Sequence, residues 1–405
     1  MIENEKNISN CIICDSNSWT FIYSKQHLFN HDSYEFQFHQ QLILCEECGC
    51  TRVLFNKNYE DDNIANYYRL VSRTPVNLNK VLENENDPRV INANNRANFI
   101  SQHSDGKKLL EIGFGDGFTL IESHNRNYNC SGIDITSDYD ENITYLKEHG
   151  ITIYNQDFYD FQSENKYDVI TSFLLMEHVK HPLMFLNKIN DCLVDNGFFV
   201  VEVPDVKNYQ NFYSETQLTF EHIYHYTIET LEKVMIKGGF ELVDYVSPGV
   251  GYPFALTASF RKVKNPTCKF NITNYGEIVL NNFEIYFKKM DAYKQELKSQ
   301  FNSIIKCHSK IVIFGAGNFF ETIIETVGDD KLHAIDYFID ETVSKIGSRY
   351  YGKEIRGVEN LQKNNPEAIL IASEMFAEQI KNRIEKIIPG TKLYCIQNEI
   401  LSEIN

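Results

Sequence analysis

The sequence predicts an α/β protein built on a Rossmann-like, doubly wound sheet, with a cysteine-rich module before it and a smaller Rossmann-like α/β domain after it. Strands and helices alternate from about Arg96 to Gly249, and they alternate again towards the carboxyl terminus. Each alternation begins with a strand that runs into a glycine loop, "LLEIGFGDG" and then "IVIFGAG". We therefore expect four segments: 1–75, 76–250, a linker with a long bridging helix over 251–308, and 309–405.

Composition and charge limit the classes of partner. With 405 residues, of which 42% are hydrophobic, the chain can bury several cores. A formal charge of -17 disfavours nucleic acid and anionic membranes as partners. The apolar runs are too short to span a bilayer, and the first residues do not resemble an export signal. We expect a cytoplasmic protein with reduced cysteines, and its oligomeric state stays open.

Five of the ten cysteines fall within the first fifty residues. Cys11 and Cys14 form one C-x-x-C pair, Cys45 and Cys48 form a second, and each pair is followed by a turn former. Four such thiolates can bind one zinc ion tetrahedrally and leave no position for water, which predicts a structural Zn²⁺. Alternating residues between the pairs favour short strands, as in a zinc ribbon. The alternative is five cysteines without a metal.

The first glycine loop follows the strand that ends in Glu111, and it reads E-x-G-x-G-x-G through Gly113, Gly115 and Gly117. A nicotinamide fingerprint would need glycine where Phe118 stands. The next strand ends in Asp134, where a carboxylate can accept both hydroxyls of a ribose. The strand after that ends at Asp157, which could meet an adenine amino group. This pattern predicts an adenosine site.

These residues resemble the class I S-adenosylmethionine-dependent methyltransferases. The stretches "LLEIGFGDG", "GIDI", "NQDFYDF" and "YDVITSFLLMEHVKHP" stand where that superfamily carries its successive motifs. The resemblance implies that the first loop binds the methyl donor S-adenosyl-L-methionine. A nucleotide-binding sheet that does not methylate is the alternative.

Methyl transfer from a sulfonium needs an oriented acceptor and a group that removes its proton. The stretch "LTFEHIYHYTIETL" is the richest in candidates, with Glu221, His222 and His225. We predict His222 as the base, because a histidine titrates near neutral pH and the neighbouring carboxylate can orient it. His178 is a candidate for the acceptor pocket. The alternative is that Thr227 caps the next helix while the aromatics before it form a lid.

The carboxyl-terminal segment begins with a long amphipathic stretch and continues into the second glycine loop. Gly315 and Gly317 are present, but Phe320 replaces the third glycine of a dinucleotide fingerprint. Asp340 ends the following strand and could hold a ribose. The alternative is a purely structural, dimerising domain.

The order of these parts resembles a family of three-domain, zinc-containing methyltransferases that act on deoxysugars linked to a nucleoside diphosphate. The resemblance implies that Tyr67 or Tyr68 reaches the acceptor and that the second glycine loop, with Gly315, Gly317 and Asp340, helps to hold the nucleotide. Tyr224, in the stretch that carries His222, is a further candidate for the acceptor pocket. In the C-methylating members a Tyr-His-Glu-His run carries the base. Here the run is Thr219 to His222, so two of its residues are lost, and methylation of carbon, oxygen or nitrogen stays open.

The sequence thus predicts a methyltransferase for a nucleotide-linked sugar that uses S-adenosyl-L-methionine and a His/Glu base. Two alternatives remain: a methyltransferase for another small metabolite, and a non-catalytic S-adenosylmethionine-binding protein with an assembly or regulatory role. The sugar and the nucleotide stay undetermined.

Overall fold

The computed structural model describes residues 8–31, 34–55, 76–135, 140–163, 165–211, 215–270, 273–342, 345–373, 376–397 and 400–404. The predicted acceptor residues Tyr67 and Tyr68 lie outside these ranges. The strands are β1 (Trp19–His31), β2 (Tyr34–Cys45), β3 (Thr51–Val53), β4 (Lys108–Ile112), β5 (Asn129–Asp134), β6 (Thr152–Asn155), β7 (Tyr167–Phe173), β8 (Leu193–Pro204), β9 (Tyr224–His225), β10 (Phe240–Val246), β11 (Ala255–Lys262), β12 (Ile311–Phe314), β13 (Ile335–Ile339), β14 (Arg349–Tyr350), β15 (Lys353–Arg356), β16 (Ala368–Ile371), β17 (Lys392–Gln397) and β18 (Ile400–Ile404).

The helices of the described residues lie between and beyond these strands. They are α1 (Leu78–Leu82), α2 (Pro88–His103), α3 (Phe118–His124), α4 (Asp140–Glu148), α5 (Pro182–Cys192), α6 (Val206–Tyr209), α7 (Ile228–Lys237), α8 (Gly276–Cys307), α9 (Asn318–Val327), α10 (Asn360–Asn364) and α11 (Ala377–Ile387), with short 3-10 turns at Met176–His178, Glu215–Leu218 and Asp329–Ala334. None of the helices within the described ranges is both long enough and apolar enough to cross a membrane.

The central sheet has seven strands in the order β10-β11-β8-β7-β4-β5-β6. Strands β4 to β8 are parallel, while β10 and β11 are antiparallel to their neighbours. The direction of winding reverses between β4 and β7, and ligands of such sheets bind beyond the strand ends at that point. The α/β class is therefore confirmed. The sheet takes its last strand from Ala255–Lys262, so it extends past the predicted boundary at residue 250.

The cysteine-rich segment forms a long hairpin, β1 and β2, whose pairing runs from Trp19 opposite Cys45 to His31 opposite Tyr34. Strand β3 pairs with β2, and β9 pairs with β3 by setting Thr51 opposite His225. The segment around His222 and His225 is thus an edge of the amino-terminal sheet. Sequence patterns did not predict this pairing, because β9 is only two residues long and its partner lies far away in the chain.

The carboxyl-terminal domain carries five parallel strands in the order β17-β16-β12-β13-β15, with β18 antiparallel at one edge. In chain order this is 5-4-1-2-3, the Rossmann arrangement, and its switch point lies between β12 and β16. Strand β14 joins this sheet to β1 through the pair His31 and Tyr350. One eleven-stranded sheet therefore runs from the carboxyl-terminal domain through the hairpin to β9.

Helix α8 connects the two α/β domains, as its apolar spacing predicts. Its first half buries side chains in the core of the central domain, and its second half buries side chains in the carboxyl-terminal core. The buried residues of the two halves are Val279, Phe283, Tyr286 and Met290, then Tyr293, Leu297, Phe301 and Ile304. Each fully buried aromatic side chain contributes about 2 kcal/mol to the stability of the core in which it lies. Because the helix is anchored in both cores, it fixes the distance between the two domains.

Candidate functional site

The four predicted metal ligands lie together at the base of the hairpin. One ligand atom from each of Cys11, Cys14, Cys45 and Cys48 lies within 4.8 Å of the other three. The Sγ atoms of Cys11 and Cys48 are 3.4 Å apart, and those of Cys14 and Cys45 are 3.5 Å apart. A tetrahedral zinc–thiolate centre, with bonds of about 2.3 Å, separates its sulfurs by about 3.8 Å. The donor set and its spacing therefore fit a Zn²⁺ ion.

Both C-x-x-C pairs use the same turn. The amide of Asp15 donates to the carbonyl of Cys11, and the amide of Gly49 donates to the carbonyl of Cys45, each at 2.9 Å. Asp15 and Gly49 have φ values of 61° and 73°, which turn the chain back on itself. The amide of Ile13 also donates to the sulfur of Cys11 at 3.4 Å, as amides around bound thiolates do. The turn formers seen in the sequence thus shape the cluster.

The first glycine loop lies at the switch point of the central sheet. Gly113, Gly115 and Gly117 have φ values of 70°, 55° and 88°, a region that side chains rarely occupy. A Cβ atom on Gly113 would also lie 2.9 Å from the side chain of Leu175. The loop can follow this path only with glycine, and it keeps the backbone open to a ligand.

Two acidic side chains border this loop, and a third lies at the next strand end. Asp134 Oδ2 accepts a hydrogen bond from the Gly115 amide at 3.1 Å. Asp134, which is predicted to bind the ribose, therefore also stabilises the conformation of the loop. Glu111 is buried, and its Oε2 has no hydrogen-bond partner among the described residues. Burial raises the pKa of Glu111 to about 8. Asp157 is exposed, and its Oδ1 accepts from the Tyr159 amide at 2.7 Å.

A buried ion pair that the sequence analysis missed lies beside this site. Glu202, at the end of β8, is fully buried and pairs with Arg96 of α2. Its other oxygen, Oε2, accepts from the Gly251 amide at 2.9 Å and from the Thr257 hydroxyl at 2.7 Å. The Arg96 guanidinium also lies 4.7 Å from the centre of the Phe173 ring. Asking which carboxylates end the parallel strands would have found Glu202, since "VEVP" ends β8.

The predicted base lies close to two residues of the turn that follows β7. Glu177, His178 and His222 each bring a ligand atom within 4.8 Å of the others, and the two imidazole rings are 5.0 Å apart. His178 Nδ1 donates to the Glu221 carbonyl at 2.9 Å, and His222 Nδ1 donates to the Gln217 carbonyl at 3.0 Å. Burial lowers the pKa of His222 to about 4 and raises that of Glu177 to about 8. The structure thus brings His222, His178 and the backbone carbonyl of Glu221 together and adds Glu177. The Nδ1 of His222 bonds to the Gln217 carbonyl and not to the neighbouring carboxylate that the sequence predicted to orient it.

The other candidates of this stretch lie deeper in the fold. His225 is 2% exposed, its Nδ1 bonds to the Tyr209 hydroxyl at 2.9 Å, and burial lowers its pKa to about 3. Tyr224 is also buried and stacks on Tyr226. Thr227 caps α7 through the Thr230 amide, as the alternative reading of this stretch proposed. His225 and Tyr224 therefore face the hairpin and α8 rather than an open pocket.

The hairpin holds the loop that carries His222. Gln40 Nε2 donates to the Thr219 carbonyl at 3.1 Å, and the Phe38 ring packs on Phe220 at 5.0 Å. The Val53 amide donates to the Ile223 carbonyl at 2.9 Å. The cysteine-rich module is therefore part of the wall of the candidate site.

In the carboxyl-terminal domain, the second glycine loop also lies at a switch point. Asp340 Oδ2 accepts from the Ala316 amide at 3.0 Å, and Lys345 lies 3.7 Å from the same oxygen. Gly315 has a φ of 108°, whereas Gly317 is extended, and a Cβ atom there would meet nothing within 4 Å. Phe320 is fully buried and packs edge-on against Phe338. Asp340 thus braces the loop, and the space beside Gly317 is open.

Arg89, at the start of α2, contacts one aromatic ring in each of the two α/β domains. Its guanidinium is 5.9 Å from the centre of the Phe118 ring, directly after the first loop, and 4.9 Å from that of Phe376, which follows β16. Asp87 binds the same guanidinium through two hydrogen bonds, of 2.8 and 2.7 Å. One side chain therefore contacts both α/β domains.

Comparison with known families assigns the two α/β domains separately. Residues 84–245 match the family model of a methyltransferase domain, a range that contains the first glycine loop and the His222 loop. Residues 307–393 match a family described as C2185-like, N-terminal. Together the two matches cover both switch points.

Two curated relatives align with part of the chain. The (S)-coclaurine N-methyltransferase of Papaver somniferum is 29% identical over 108 residues, which are 25% of this chain and 31% of that protein. The ubiquinone biosynthesis O-methyltransferase of Actinobacillus pleuropneumoniae serotype 7 (strain AP76) is 32% identical over 114 residues, 25% of this chain and 49% of that protein. The chain thus spans less than half the length of either relative.

Among solved structures, the N-methyltransferase NodS from Bradyrhizobium japonicum WM9 is 15% identical with a TM-score of 0.38, covering 50% of this chain and 99% of that one. The match of residues 84–245 agrees with the glycine loop, the strand-end carboxylates and the winding of the central sheet. That part of the chain is a class I S-adenosylmethionine-dependent methyltransferase domain.

Proposed function

We propose that this protein transfers a methyl group from S-adenosyl-L-methionine to a small-molecule acceptor that carries a nucleotide. The observation that carries the first half of the proposal is the glycine loop, whose three left-handed glycines and strand-end Asp134 lie inside the region matched by the methyltransferase family model. When bound, the donor supplies a sulfonium-activated methyl group for in-line displacement.

The electrostatics near the first glycine loop and the His222 loop support a cationic ligand. Glu111 and Glu177 are both buried, and each has an oxygen without a hydrogen-bond partner among the described residues. The nearby cation, Arg96, is already paired with Glu202. Burial raises the pKa of both groups to about 8, because a buried carboxylate is costly without an opposite charge, and a ligand that brings positive charge would favour their ionised form. A sulfonium has that charge.

On the acceptor side, His222 is the proposed base. Its Nδ1 hydrogen is used by the Gln217 carbonyl, so the neutral ring keeps its lone pair on Nε2. The lowered pKa keeps the ring neutral at physiological pH, which a base requires. His225, held by Tyr209, packs behind His222 with ring centres 6.3 Å apart and would position it.

The nucleotide part of the acceptor is proposed for the carboxyl-terminal domain. Its parallel sheet has a switch point with an open backbone at Gly317, where a phosphate or ribose can approach. Arg89 contacts Phe376 of this domain and also Phe118, which follows the methyl-donor loop. Binding energy from a remote handle would then orient the reacting group of the acceptor. The handle restricts the acceptor class to nucleotide-linked molecules, including nucleoside-diphosphate sugars.

The cysteine cluster is proposed to hold a structural Zn²⁺. Four thiolates at this spacing close the coordination sphere, so the ion would stabilise the hairpin rather than act on substrate. Through Gln40 and β3 the same ion would hold the His222 loop in place.

Calorimetric titration with S-adenosylhomocysteine tests the donor half. Asp134→Asn should weaken binding at least tenfold, because the variant loses the negative charge and keeps only one acceptor oxygen, which cannot serve both the loop amide and the two ribose hydroxyls. Asp195→Asn, an exposed carboxylate paired with Lys262 at the other end of the sheet, is the matched control and should bind like the wild type. Failure of the wild-type protein to bind this ligand would overturn the proposal.

Titration with uridine diphosphate and deoxythymidine diphosphate tests the acceptor half. Gly317→Val should abolish nucleotide binding, because the new side chain fills the open space without straining an extended backbone. Donor binding by the same variant is the internal control and should persist. If neither nucleotide binds the wild type, the handle is not a pyrimidine diphosphate, and the nucleotide half of the proposal is withdrawn.

A further inference from the structure

The turn after β7 and the His222 loop together hold three side chains with the chemistry of metal ligands. These are Glu177, His178 and His222, whose ligand atoms lie within 4.8 Å of one another. They lie apart from the cysteine cluster, and the methyl-transfer chemistry of this domain does not require them as a set.

Both imidazoles are held in the tautomer that a metal needs. A carbonyl oxygen only accepts hydrogen bonds, so the ring nitrogens facing Glu221 O and Gln217 O must carry the hydrogen. The lone pair of each neutral ring therefore lies on Nε2. In metal sites the ligating histidine typically donates its other ring hydrogen to a backbone carbonyl or a carboxylate in this way. His178 and His222 both have this arrangement, and the centres of their rings are 5.0 Å apart.

Glu177 supplies an independent reason to expect a cation. It is 1% exposed, and its Oε2 has no hydrogen-bond partner in the described part of the chain. Its Oε1 lies 3.7 Å from Nε2 of His178, close to the roughly 3.3 Å between two ligand atoms on a tetrahedral ion with bonds of about 2.0 Å. A buried carboxyl group with one oxygen unpartnered within the described ranges, beside two imidazole lone pairs, offers the donors that a divalent cation would need, and a bound cation would favour its ionised form.

The backbone makes the group rigid. The Ile223 amide donates to the Glu177 carbonyl at 2.8 Å, and His178 bonds to the Glu221 carbonyl, so the turn and the loop are joined on both sides of His222. The hairpin also stabilises this loop, through the hydrogen bond from Gln40 to the Thr219 carbonyl. Ligands on two separate segments are thus held in place before any ion arrives, which reduces the cost of binding.

We propose that Glu177, His178 and His222 form a second metal site, for a divalent transition-metal ion such as Zn²⁺, with at least one coordination position left open. Two imidazoles and one carboxylate are a ligand set that keeps positions for water or substrate. The open position would take a polar atom of the acceptor and polarise it, a role that rests on the proposed function. Metal binding itself does not rest on it. The two roles of His222 exclude each other. In the metal-free site His222 is the proposed base, whereas with an ion bound its lone pair is committed to the metal and the ion would activate the acceptor in its place.

The test is the metal content of the full-length protein after dialysis against Zn²⁺ and removal of excess, measured by atomic emission. The wild type should hold two equivalents, while Glu177→Gln and His222→Ala should each hold one. His149→Ala removes an exposed histidine whose Nδ1 also bonds to a backbone carbonyl, and it should keep both equivalents. One equivalent in the wild type, or two in His222→Ala, would overturn the proposal.

Co²⁺ titration of the wild type gives a second readout that needs no variant. The cysteine cluster should produce strong thiolate-to-cobalt charge transfer. A second equivalent of Co²⁺, bound by Glu177, His178 and His222, should add visible d–d bands without further charge transfer. If the titration shows only the thiolate site, the second metal site does not exist. Binding of S-adenosylhomocysteine, measured separately, shows whether the donor site is intact, so failure of this proposal and failure of the proposed function are distinguishable.

Discussion

Gln40 Nε2 donates a hydrogen bond to the backbone carbonyl of Thr219 across 3.1 Å, and this bond joins the cysteine-rich hairpin to the loop that presents His222. Gln40 is fully buried, so the bond is shielded from water. The pairing of Thr51 with His225 extends the connection through the backbone. A well-ordered cysteine cluster should therefore keep the His222 loop well ordered, although that loop lies more than 160 residues later in the chain.

Cys45→Ser should destabilise the protein by several kcal/mol, because it removes one of the four thiolates around the proposed Zn²⁺. Backbone amides of residues 219–226 should exchange hydrogen faster, since the hairpin that holds them loosens. Thermal unfolding and hydrogen–deuterium exchange measure the two effects. Cys307→Ser, an exposed cysteine at the end of α8, is the control and should leave both unchanged. Unaltered exchange over 219–226 in Cys45→Ser would show that the loop is held without the cluster.

Gly117→Ala should weaken binding of S-adenosylhomocysteine at least tenfold. The φ of 88° is unfavourable for alanine, and its Cβ would lie 2.6 Å from the side chain of Leu146, so the loop must move. Gly150→Ala is a matched control, because its φ is 79° but a Cβ there meets nothing within 4 Å. Both variants should lose about 1 kcal/mol or more of stability. Only Gly117→Ala should lose affinity, and equal affinities in calorimetry would contradict the assignment of the loop.

Features with a local signal could be predicted from the sequence. The glycine loop was recognisable because Gly113, Gly115 and Gly117 each need a backbone path that other residues avoid. The length and position of α8 followed from apolar residues at steps of three and four. The cysteine pairs were recognisable because their turns are short and carry Asp15 and Gly49 at the point where φ becomes positive.

Features that depend on distant pairing could not be predicted. His178 could be predicted as a pocket candidate, but Glu177 and the approach of both residues to His222 could not, because that approach requires the hydrogen bonds that tie the turn to residues 221–223. Arg96 carried no signal, since its partner Glu202 is 106 residues away. The hairpin was expected to be a separate module, yet its edges pair with β9 and β14. The antiparallel strand β11 was assigned to a linker for the same reason.

Glu111→Gln should flatten the dependence of unfolding free energy on pH between 5 and 8. Burial raises the pKa of Glu111 from 4.5 to about 8 in the folded chain, so the folded state holds a proton that the unfolded state releases. Stability from this group is full below pH 4.5 and is lost as the pH rises towards 8. The wild type should therefore lose roughly 3 kcal/mol more than the variant over that range. Urea unfolding at several pH values measures the difference, and parallel curves would show that Glu111 is ionised in the fold.

Arg96→Met should destabilise the protein by about 3 to 5 kcal/mol, because it leaves the carboxylate of Glu202 buried without its cation. Methionine keeps much of the volume and the contact with the Phe173 ring, so the loss reports the charge rather than a cavity. Arg261→Met is the matched control: its pair with Glu241 lies in the same sheet but is partly exposed, and its loss should cost less than about 1 kcal/mol. Chemical denaturation measures both losses of stability.

Adding Glu202→Gln to Arg96→Met should restore part of the stability, since a neutral amide costs less to bury than an unpaired carboxylate. If the double variant is no more stable than Arg96→Met, the loss arises from packing, and the buried charge does not set the stability of this strand end.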